Sequence, residues 1–530
     1  MRVCQLVTNP YTFDTRVRKQ CESLVRLGCE VVVIGVHRKG MPLREKINGV
    51  KVIRVVPGED LGAAFKRLVG DNLRSRIPRG PLFGGMIRGA RYAARQARRA
   101  RSLAGRVVGR FKRMFRRRPA TLESALAAAR ATEARFPFKD HLRFWLGPLL
   151  AVLLLPVALI VLLLSAVVAA IVGVVRSAWR AIASAWKGLI KTWRKRFDKA
   201  MGQPLYKFSR IVCMLAEAYD ADANVYQAND PDTLRATSLA ARLQGVRFVY
   251  DIHELYDESF PTRKPFRERY WIRHFEKKLG GRASHRITVG ENIARVMSER
   301  YGWEKPVVLQ NAQVYEGAPE PDAYIRQQID DMDCRRMVFV YAGRITRGRG
   351  IIETARAFEE IDGSRAALVI MGNADPKYLK EVHFQVRKRG LGDRVYVLDP
   401  VESDRLPSVL QCADMGLMLT QPVCLSYYYG LGNKMFHYVN SGLGVLASAH
   451  PEKQQFVETH GVGTCVADIR PEPIRDAIQH LLDNPHLVAA MKARAREVAP
   501  YVSWQAQERR YLDIYTSAYE DMLFNIKGAA

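Results

Sequence analysis

From Phe144 to Val175 the chain carries no charged residue. About 20 apolar residues suffice to cross a bilayer, so this stretch constrains everything around it. It lies inside a strongly basic segment. Residues 61 to 200 hold 30 Lys and Arg against 5 Asp and Glu, and the whole chain has a formal net charge of +30. Most of the imbalance therefore belongs to one region. Both flanks of the apolar stretch are basic, with Arg113, Arg116, Arg117 and Arg118 before it and Arg176, Arg180, Lys187, Lys191, Arg194, Lys195 and Arg196 after it. Basic flanks stay on the cytoplasmic side. A single crossing would separate them, and two full crossings need about 40 residues. The stretch includes Trp145 and Pro156, and a proline within a helix bends it. The expectation is a re-entrant or shallow helical hairpin over 144–175 that enters and leaves by the same face.

The residues that follow support a lipid reading. Trp179, Trp186 and Trp193 recur at heptad spacing, and Ile182 and Ile190 join them on one helix face, with Arg176, Arg180, Lys187 and Arg194 turned away. Trp at headgroup depth with cations on anionic lipid is the pattern of an interfacial helix. Arg88, Arg91, Arg95, Arg98 and Arg99 form a similar basic stripe upstream. A nucleic-acid patch and an ordinary solvated face are the rival readings. The apolar run between the two basic arms disfavours both, so anionic membrane lipids are the expected partner and nucleic acid is not.

On either side of this segment the pattern is α/β. Val3 to Val7 reads as a strand, Val17 to Leu27 as a helix ended by Gly28, and Cys29 to Gly35 as a buried strand followed by one short strand. Such a β-α-β start predicts a parallel sheet. The pattern resumes with a helix over 207–219, a strand over 223–228, a helix over 230–243 and a strand over 246–251. A second α/β run starts at Met337, with further strands at Ala367 to Gly372, Val395 to Leu398, Met415 to Leu419 and Gly444 to Ser448. With 530 residues the chain is too long for one core. The predicted domains are 1–57 with 204–310, an inserted 58–203, 311–500, and a last helix within 501–530. The eight cysteines show no CxxC spacing, so neither zinc nor a redox motif is indicated. The N-terminus reads directly into a strand rather than as a secretory signal.

Four motifs then give a family resemblance. Gly343-Arg344-Ile345-Thr346-Arg347-Gly348-Arg349-Gly350-Ile351 resembles the phosphate-binding turn of GT-B glycosyltransferases of the retaining GT4 group. Asp251-Ile252-His253-Glu254-Leu255 resembles that group's D-x-H-E segment. Gly432-Asn433-Lys434-Met435-Phe436-His437-Tyr438 resembles its P-N-K-x-F-E-Y segment, and Asp14-Thr15-Arg16-Val17 also fits. The resemblance implies two Rossmann-like doubly wound domains facing a cleft, the first interrupted by the helical membrane insertion. It also implies a nucleotide-sugar co-substrate, no other cofactor, no metal, and a final helix crossing back to the first domain.

The residue chemistry is compatible. A departing diphosphate needs positive charge, and Arg344 and Arg349 flank a Gly-rich turn where guanidinium groups can bind phosphate bidentately; the alternative is two surface arginines. Gly343, Arg344, Arg349, Asn433, Lys434 and His437 are the candidate donor-binding residues. His253, Arg344 and Arg349 are the catalytic candidates, though His253 also reads as a structural histidine. Asp14, Arg16 and Glu254 are candidates for the acceptor, with helix capping by Asp14 an equal reading. His437 stands where the family has Glu on the nucleotide ribose, and imidazole cannot clamp two hydroxyls as a carboxylate does. Tyr427, Tyr428 and Tyr429 either line a sugar subsite or form a packed cluster.

The resulting expectation is a hexosyltransferase on the cytoplasmic face of a bacterial inner membrane. It would move sugar from a UDP- or GDP-sugar to a lipid-linked glycan in surface polysaccharide synthesis, with self-association through the hairpin left open. The alternatives are a catalytically degenerate scaffold in a polysaccharide assembly complex and a nucleotide-sugar epimerase of the same fold.

Overall fold

The computed structural model describes residues 1–58, 61–69, 202–259 and 264–527. The hairpin expected at 144–175, with Trp145, Pro156, Trp179, Trp186 and Trp193, lies outside them. Among the described residues no helix is long and apolar enough to cross a membrane.

The first sheet has strands β1 (Arg2–Leu6), β2 (Glu30–Val36), β3 (Arg44–Ile47), β4 (Val50–Val55), β5 (Val225–Asn229), β6 (Arg247–Ile252), β7 (His285–Thr288) and β8 (Val307–Val308), in the order β3-β4-β2-β1-β5-β6-β7-β8. All neighbours are parallel except β3 and β4. The buried valines of β2 suit a strand covered on both faces. The chain begins at the centre, winds out to β4, and returns to lay β5 beside β1, with Val3 opposite Val225. The segment between β4 and β5 is thus a long connection inside one sheet. Its described ends meet: Arg67 on helix Leu61–Val69 pairs at 2.8 Å with Asp220 and Glu217 on helix Gly202–Asp220.

The single short strand expected after Gly35 is instead the hairpin β3–β4. Its turn is Asn48-Gly49, both at positive φ (47° and 85°), the pairing that a two-residue hairpin turn selects. The first helix runs Thr15–Arg26, two residues earlier than expected, because Asp14 caps it: its Oδ1 accepts from the Val17 amide at 3.1 Å. β7, β8 and a final strand, β14 (Gly463–Val466), were not expected.

The second sheet is wholly parallel. It holds β9 (Met337–Ala342), β10 (Ala366–Met371), β11 (Val395–Leu398), β12 (Met415–Met418), β13 (Gly444–Ser448) and β14, ordered β11-β10-β9-β12-β13-β14. Apolar clusters cover both of its faces. Helix Gln505–Lys527 leaves this domain and packs on the first sheet, where Trp504, Tyr511 and Tyr515 join Val3, Val17 and Val225 in one buried cluster. The polar atoms of these rings are satisfied there: Trp504 Nε1 donates to Ser23 at 2.9 Å, and Tyr511 accepts from Gln5 at 2.9 Å.

Strand order reverses between β1 and β5 in one sheet and between β9 and β12 in the other. In open parallel sheets the crevice beyond such strand ends receives ligands. Two non-glycine residues with positive φ stand beside the first of these points, Tyr11 at 74° and Asp230 at 64°. Backbone strain of that kind concentrates at functional sites.

Candidate functional site

The two reversal points open onto one cleft of about 380 Å³. The first domain contributes Asn9, Asp14, Arg16, His253 and Glu254, and the second contributes Arg349, Ser426, Tyr427, Asn433 and Lys453.

The wall from the first domain is an ionic network. Arg16 forks onto Asp251, with Nε donating to Oδ2 at 2.9 Å and Nη2 to Oδ1 at 2.8 Å, and Nη1 reaches the Leu309 carbonyl at 2.9 Å. The two side chains are 2% and 0% exposed. Arg16, expected at the acceptor, is thus paired within the protein while its residue also lines the cleft. Asp251 also accepts from Gln20 at 2.7 Å. Burial alone would raise its carboxyl pKa, but Arg16 and His253 hold it well below the usual range. His253 sits between two carboxylates, its Nδ1 3.1 Å from Asp230 and its Nε2 3.4 Å from Asp251. Burial works against the charged ring, yet Asp230 and Asp251 prevail and push its pKa up to about 10. His253 is an imidazolium at neutral pH, with both nitrogens facing acids, and is not poised to act as a general base.

Asp14 lines the cleft but is occupied as a cap, its Oδ2 accepting from Asn9 at 2.7 Å. Glu254 accepts from Ser426 of the opposite wall at 3.2 Å. Burial, followed by the charge of Asp230, raises its pKa.

The wall from the second domain is built on the β9 turn. Gly350, at φ 65°, cannot be replaced without collision, because a Cβ there would lie 2.2 Å from the Leu419 carbonyl oxygen. This close approach sets the adjacent Arg349 over the ring of Tyr427, 4.1 Å from its centroid. The Arg349 Nε is buried without a hydrogen-bond partner. Lys434 lies against Gly343, its Nζ 4.8 Å from the centre of the Tyr341 ring. Lys453, on helix Pro451–His460, is 1% exposed and donates to the Tyr427 carbonyl at 2.9 Å. Among the described residues none of these three cations is recorded in an ion pair. Burial first, then the neighbouring cations Arg349 and Lys453, drives the Lys434 pKa well down. Burial and Arg349 bring that of Lys453 to about 7.

Arg344 is exposed and does not line the cleft. Asn433 does, and its Oδ1 accepts from Asn311 at 2.8 Å. His437, one turn further along helix Asn433–Asn440, is not among the lining residues. Burial, then Lys19 and Lys434, lowers its pKa to about 4, so its ring is neutral. Tyr427 faces the cleft, whereas Tyr428 packs on Tyr429 and His450 at 5.0 and 5.1 Å.

Sequence reasoning missed Lys453, Asp230 and Glu452. The available signal was position, since Lys453 and Glu452 follow the carboxyl end of β13 and Asp230 that of β5. Glu452 clasps the two domains together. It accepts from the amides of Glu291 and Asn292 at 2.9 and 3.0 Å and from the Asn292 side chain at 2.6 Å. A larger cavity of about 610 Å³ lies elsewhere on the second domain, lined by Arg326, Arg336, Arg365 and Lys492. Those cations already hold protein partners: Arg326 and Lys492 bind Asp414, Arg365 binds Asp483, and Arg336 donates to Tyr396. The smaller cleft, with its uncompensated charge, is therefore the better candidate.

Comparisons with known proteins agree with this geometry. Residues 328–498 match the family of glycosyl transferases group 1, and residues 183–312 match Glycosyltransferase Family 4. A D-inositol 3-phosphate glycosyltransferase 2 of Catenulispora acidiphila is 29% identical over 28% of this chain and 33% of its own length. The match thus spans about a third of that relative. Among solved structures, sucrose-phosphate synthase of Thermosynechococcus elongatus superposes with TM-score 0.57 at 15% identity, covering 98% of this chain and all of the other. A glycosyltransferase of Rickettsia africae gives TM-score 0.52 at 11% identity, covering 98% of each chain. At such identities the likeness concerns the fold. The chain carries a Glycosyltransferase Family 4 domain and a glycosyl transferases group 1 domain, arranged as the two facing Rossmann-like halves of a GT-B fold.

Proposed function

We propose that the chain transfers a hexose-type sugar from a UDP- or GDP-sugar to a lipid-linked or membrane-proximal glycan. The observation that carries this reading is the group of Arg349, Lys434 and Lys453 at a strand-order reversal, the first two half-buried and the last buried, with no ion-pair partner among the described residues; Arg349 and Lys453 line the cleft and Lys434 stands behind it against Gly343. Gathering like charges in a low-dielectric wall is unfavourable unless an anion completes the site. A diphosphate supplies that charge, and supplies more of it as the glycosidic bond breaks and the leaving group becomes more negative. The cations stabilise that charge without a bridging metal. His253, already protonated, adds positive charge on the opposite wall instead of removing a proton from the acceptor. That is the arrangement a retaining transfer calls for, where no protein base need activate the incoming hydroxyl.

The acceptor side rests on sequence. The connection between β4 and β5 leaves and rejoins the fold at neighbouring helices tied by Arg67, and it holds the uncharged stretch 144–175. A segment of this kind tethers the cleft to the cytoplasmic face of a bacterial inner membrane and raises the local concentration of a lipid-linked acceptor. Surface polysaccharide synthesis is the role such an arrangement serves.

The test is nucleoside diphosphate release by the full chain in nanodiscs, across UDP- and GDP-sugars with lipid-linked acceptors. One donor should be turned over, and Arg349→Ala should reduce its rate by about 10²–10³. A second reading, a scaffold that has lost transfer, is favoured by the neutral His437 standing outside the cleft. It gains if no donor is turned over and calorimetry detects no nucleotide binding.

A further inference from the structure

Helix Phe266–Phe275 has no buried residue. Phe266 is 83% exposed, Tyr270 54% and Trp271 45%. At about 100° per residue, Phe266, Arg267, Tyr270, Trp271 and His274 share one arc of the helix. The helix is fixed to the domain along the borders of this arc: Arg273 and Arg269 pair with Glu258, Arg273 also with Asp257, and Phe275 lies under Arg235 at 4.6 Å. The outer rings pack edge to face, with centroid distances of 5.6 Å for Tyr270 and Trp271 and 5.7 Å for Trp271 and His274. The outer arc carries no acid. Glu268 is turned to Lys207 at 3.2 Å, which brings the start of helix Gly202–Asp220, with its exposed Tyr206, alongside. Exposed cations stand on the arc at Arg267 and in the turns that follow the helix at Lys277, Lys278 and Arg282.

An apolar and basic face of this size calls for an occupant, and charge selects among the candidates. The chain between the two described ends of the long connection is itself strongly basic, with 30 Lys and Arg against 5 Asp and Glu over residues 61 to 200. It would bring like charge onto like. A second copy of this face, related by a two-fold axis, would do the same. An anionic lipid surface takes both features, with aromatic rings at headgroup depth and cations on phosphate.

We propose that the exposed face of helix Phe266–Phe275 docks onto an anionic lipid surface. The inference rests on the membrane association proposed above and adds a second contact on the sheet-bearing part of the first domain. Two contacts on one domain fix its orientation, where a tether alone would leave it free to turn. Docking through this face holds the first domain in one pose at the bilayer.

The test uses the full chain with Cys334→Ser, which removes the exposed cysteine, and a nitroxide at Arg267→Cys. A control label sits at Phe384→Cys, a position 53% exposed on helix Pro376–Lys388 of the second domain. Collision rates with a water-soluble nickel chelate and with oxygen are compared in nanodiscs of phosphatidylcholine alone and of phosphatidylcholine mixed with phosphatidylglycerol, and in detergent. The expected result is that the label at 267 is shielded from nickel several-fold more than the label at 384, in the anionic discs only. Phe266→Ser with Trp271→Ser should restore its access. If the protein is disc-bound yet the label at 267 is as open to nickel as that at 384, the docking face is wrong while the tether survives. Equal shielding in detergent and in both discs would show that protein covers the helix. Failure to associate with any disc would overturn the membrane association and the docking together.

Discussion

The two walls of the cleft are both rich in charge and handle it in opposite ways. In the first domain the central charges are paired, Arg16 on Asp251 and His253 between Asp251 and Asp230. In the second domain Arg349, Lys434 and Lys453 are near enough to lower one another's basicity, and among the described residues none of them forms an ion pair. The acid next in sequence, Glu452, is turned across the cleft to the amides of Glu291 and Asn292. A paired network needs no ligand to balance its charge, whereas a set of like charges in a largely buried wall is balanced only by one. The first wall therefore serves as a scaffold and the second as the ligand site, and substitutions on the two should part company.

The largest expected effect is on the scaffold side. Arg16→Ala leaves Asp251 buried with an ionised carboxylate, and loss of one partner from such a pair costs about 3–5 kcal/mol. Urea unfolding of the full chain measures it. A loss under about 1 kcal/mol would mean that Gln20 and His253 satisfy Asp251 by themselves, and the contrast between the walls would weaken. Next in size is Glu452→Gln. It removes the charge from a carboxylate holding three donors across the domains, where each bond to a charged group is worth about 1.5–3 kcal/mol. The closed form should lose about 2 kcal/mol, read as a roughly thirtyfold weaker nucleotide affinity at nearly unchanged unfolding stability of either domain. Unchanged affinity would show that the clasp does not govern closure.

Sequence reasoning reached the frame and half of the site for an identifiable reason. Strand-to-helix turns leave local marks, so Gly343 to Ile351 pointed to Arg349, and Asp14 was legible as a cap. The direction in which a side chain points is set by distant partners. Arg16 sits in an acceptor-like motif, but its fork closes on a residue 235 positions away. Asp230 and Lys453 belong to no motif, and only the assembled sheets bring the ends of β5 and β13 to one cleft. Asn48-Gly49 is a hairpin-turn signal, but the strands on either side are short and β3 is half exposed, so their alternation is weak. The exposed helix Phe266–Phe275 shows no simple apolar stripe, since its outer arc interleaves aromatics with Arg267, so its role appears only once the borders of that arc are seen anchored.

A subtler effect separates the walls by proton count. Lys453 has a pKa near 7 in the fold against about 10.4 in an unfolded chain. Between those values the unfolded chain binds the extra proton, so this lysine makes stability rise with pH from about 7 upward, and below 7 its repulsion with Arg349 is felt in full. Besides Arg349, the groups acting on it are Glu452, Cys465 and Cys424, with His450 at 3.4 Å. A bound diphosphate restores the charged form. Nucleotide binding at pH 8 should therefore take up a proton, seen by calorimetry in buffers of different ionisation enthalpy. Lys453→Met should reduce that uptake and flatten the rise in stability. Proton uptake unaltered in the variant would assign the linkage to Lys434.

Asp230→Asn probes the scaffold wall with the smallest structural change. Asn has the shape of Asp and its Oδ1 can still accept from the His253 amide at 3.1 Å, so the β5 turn should persist. The imidazolium of His253 gains its main support from Asp230, and its pKa lies near 10. A histidine raised in this way contributes stability that is complete below about 6.5 and is lost as pH rises through 10. Without the Asp230 charge the ring pKa should fall, moving both that loss and the alkaline limb of diphosphate release toward neutral pH. Nitrogen-15 spectra of labelled histidine follow the ring directly, and the rate profile follows its consequence. If the ring titration moves and the rate limb does not, His253 holds the scaffold together without taking part in transfer. If both move together, its charge acts on the reacting groups, and the scaffold wall contributes to chemistry as well as to shape.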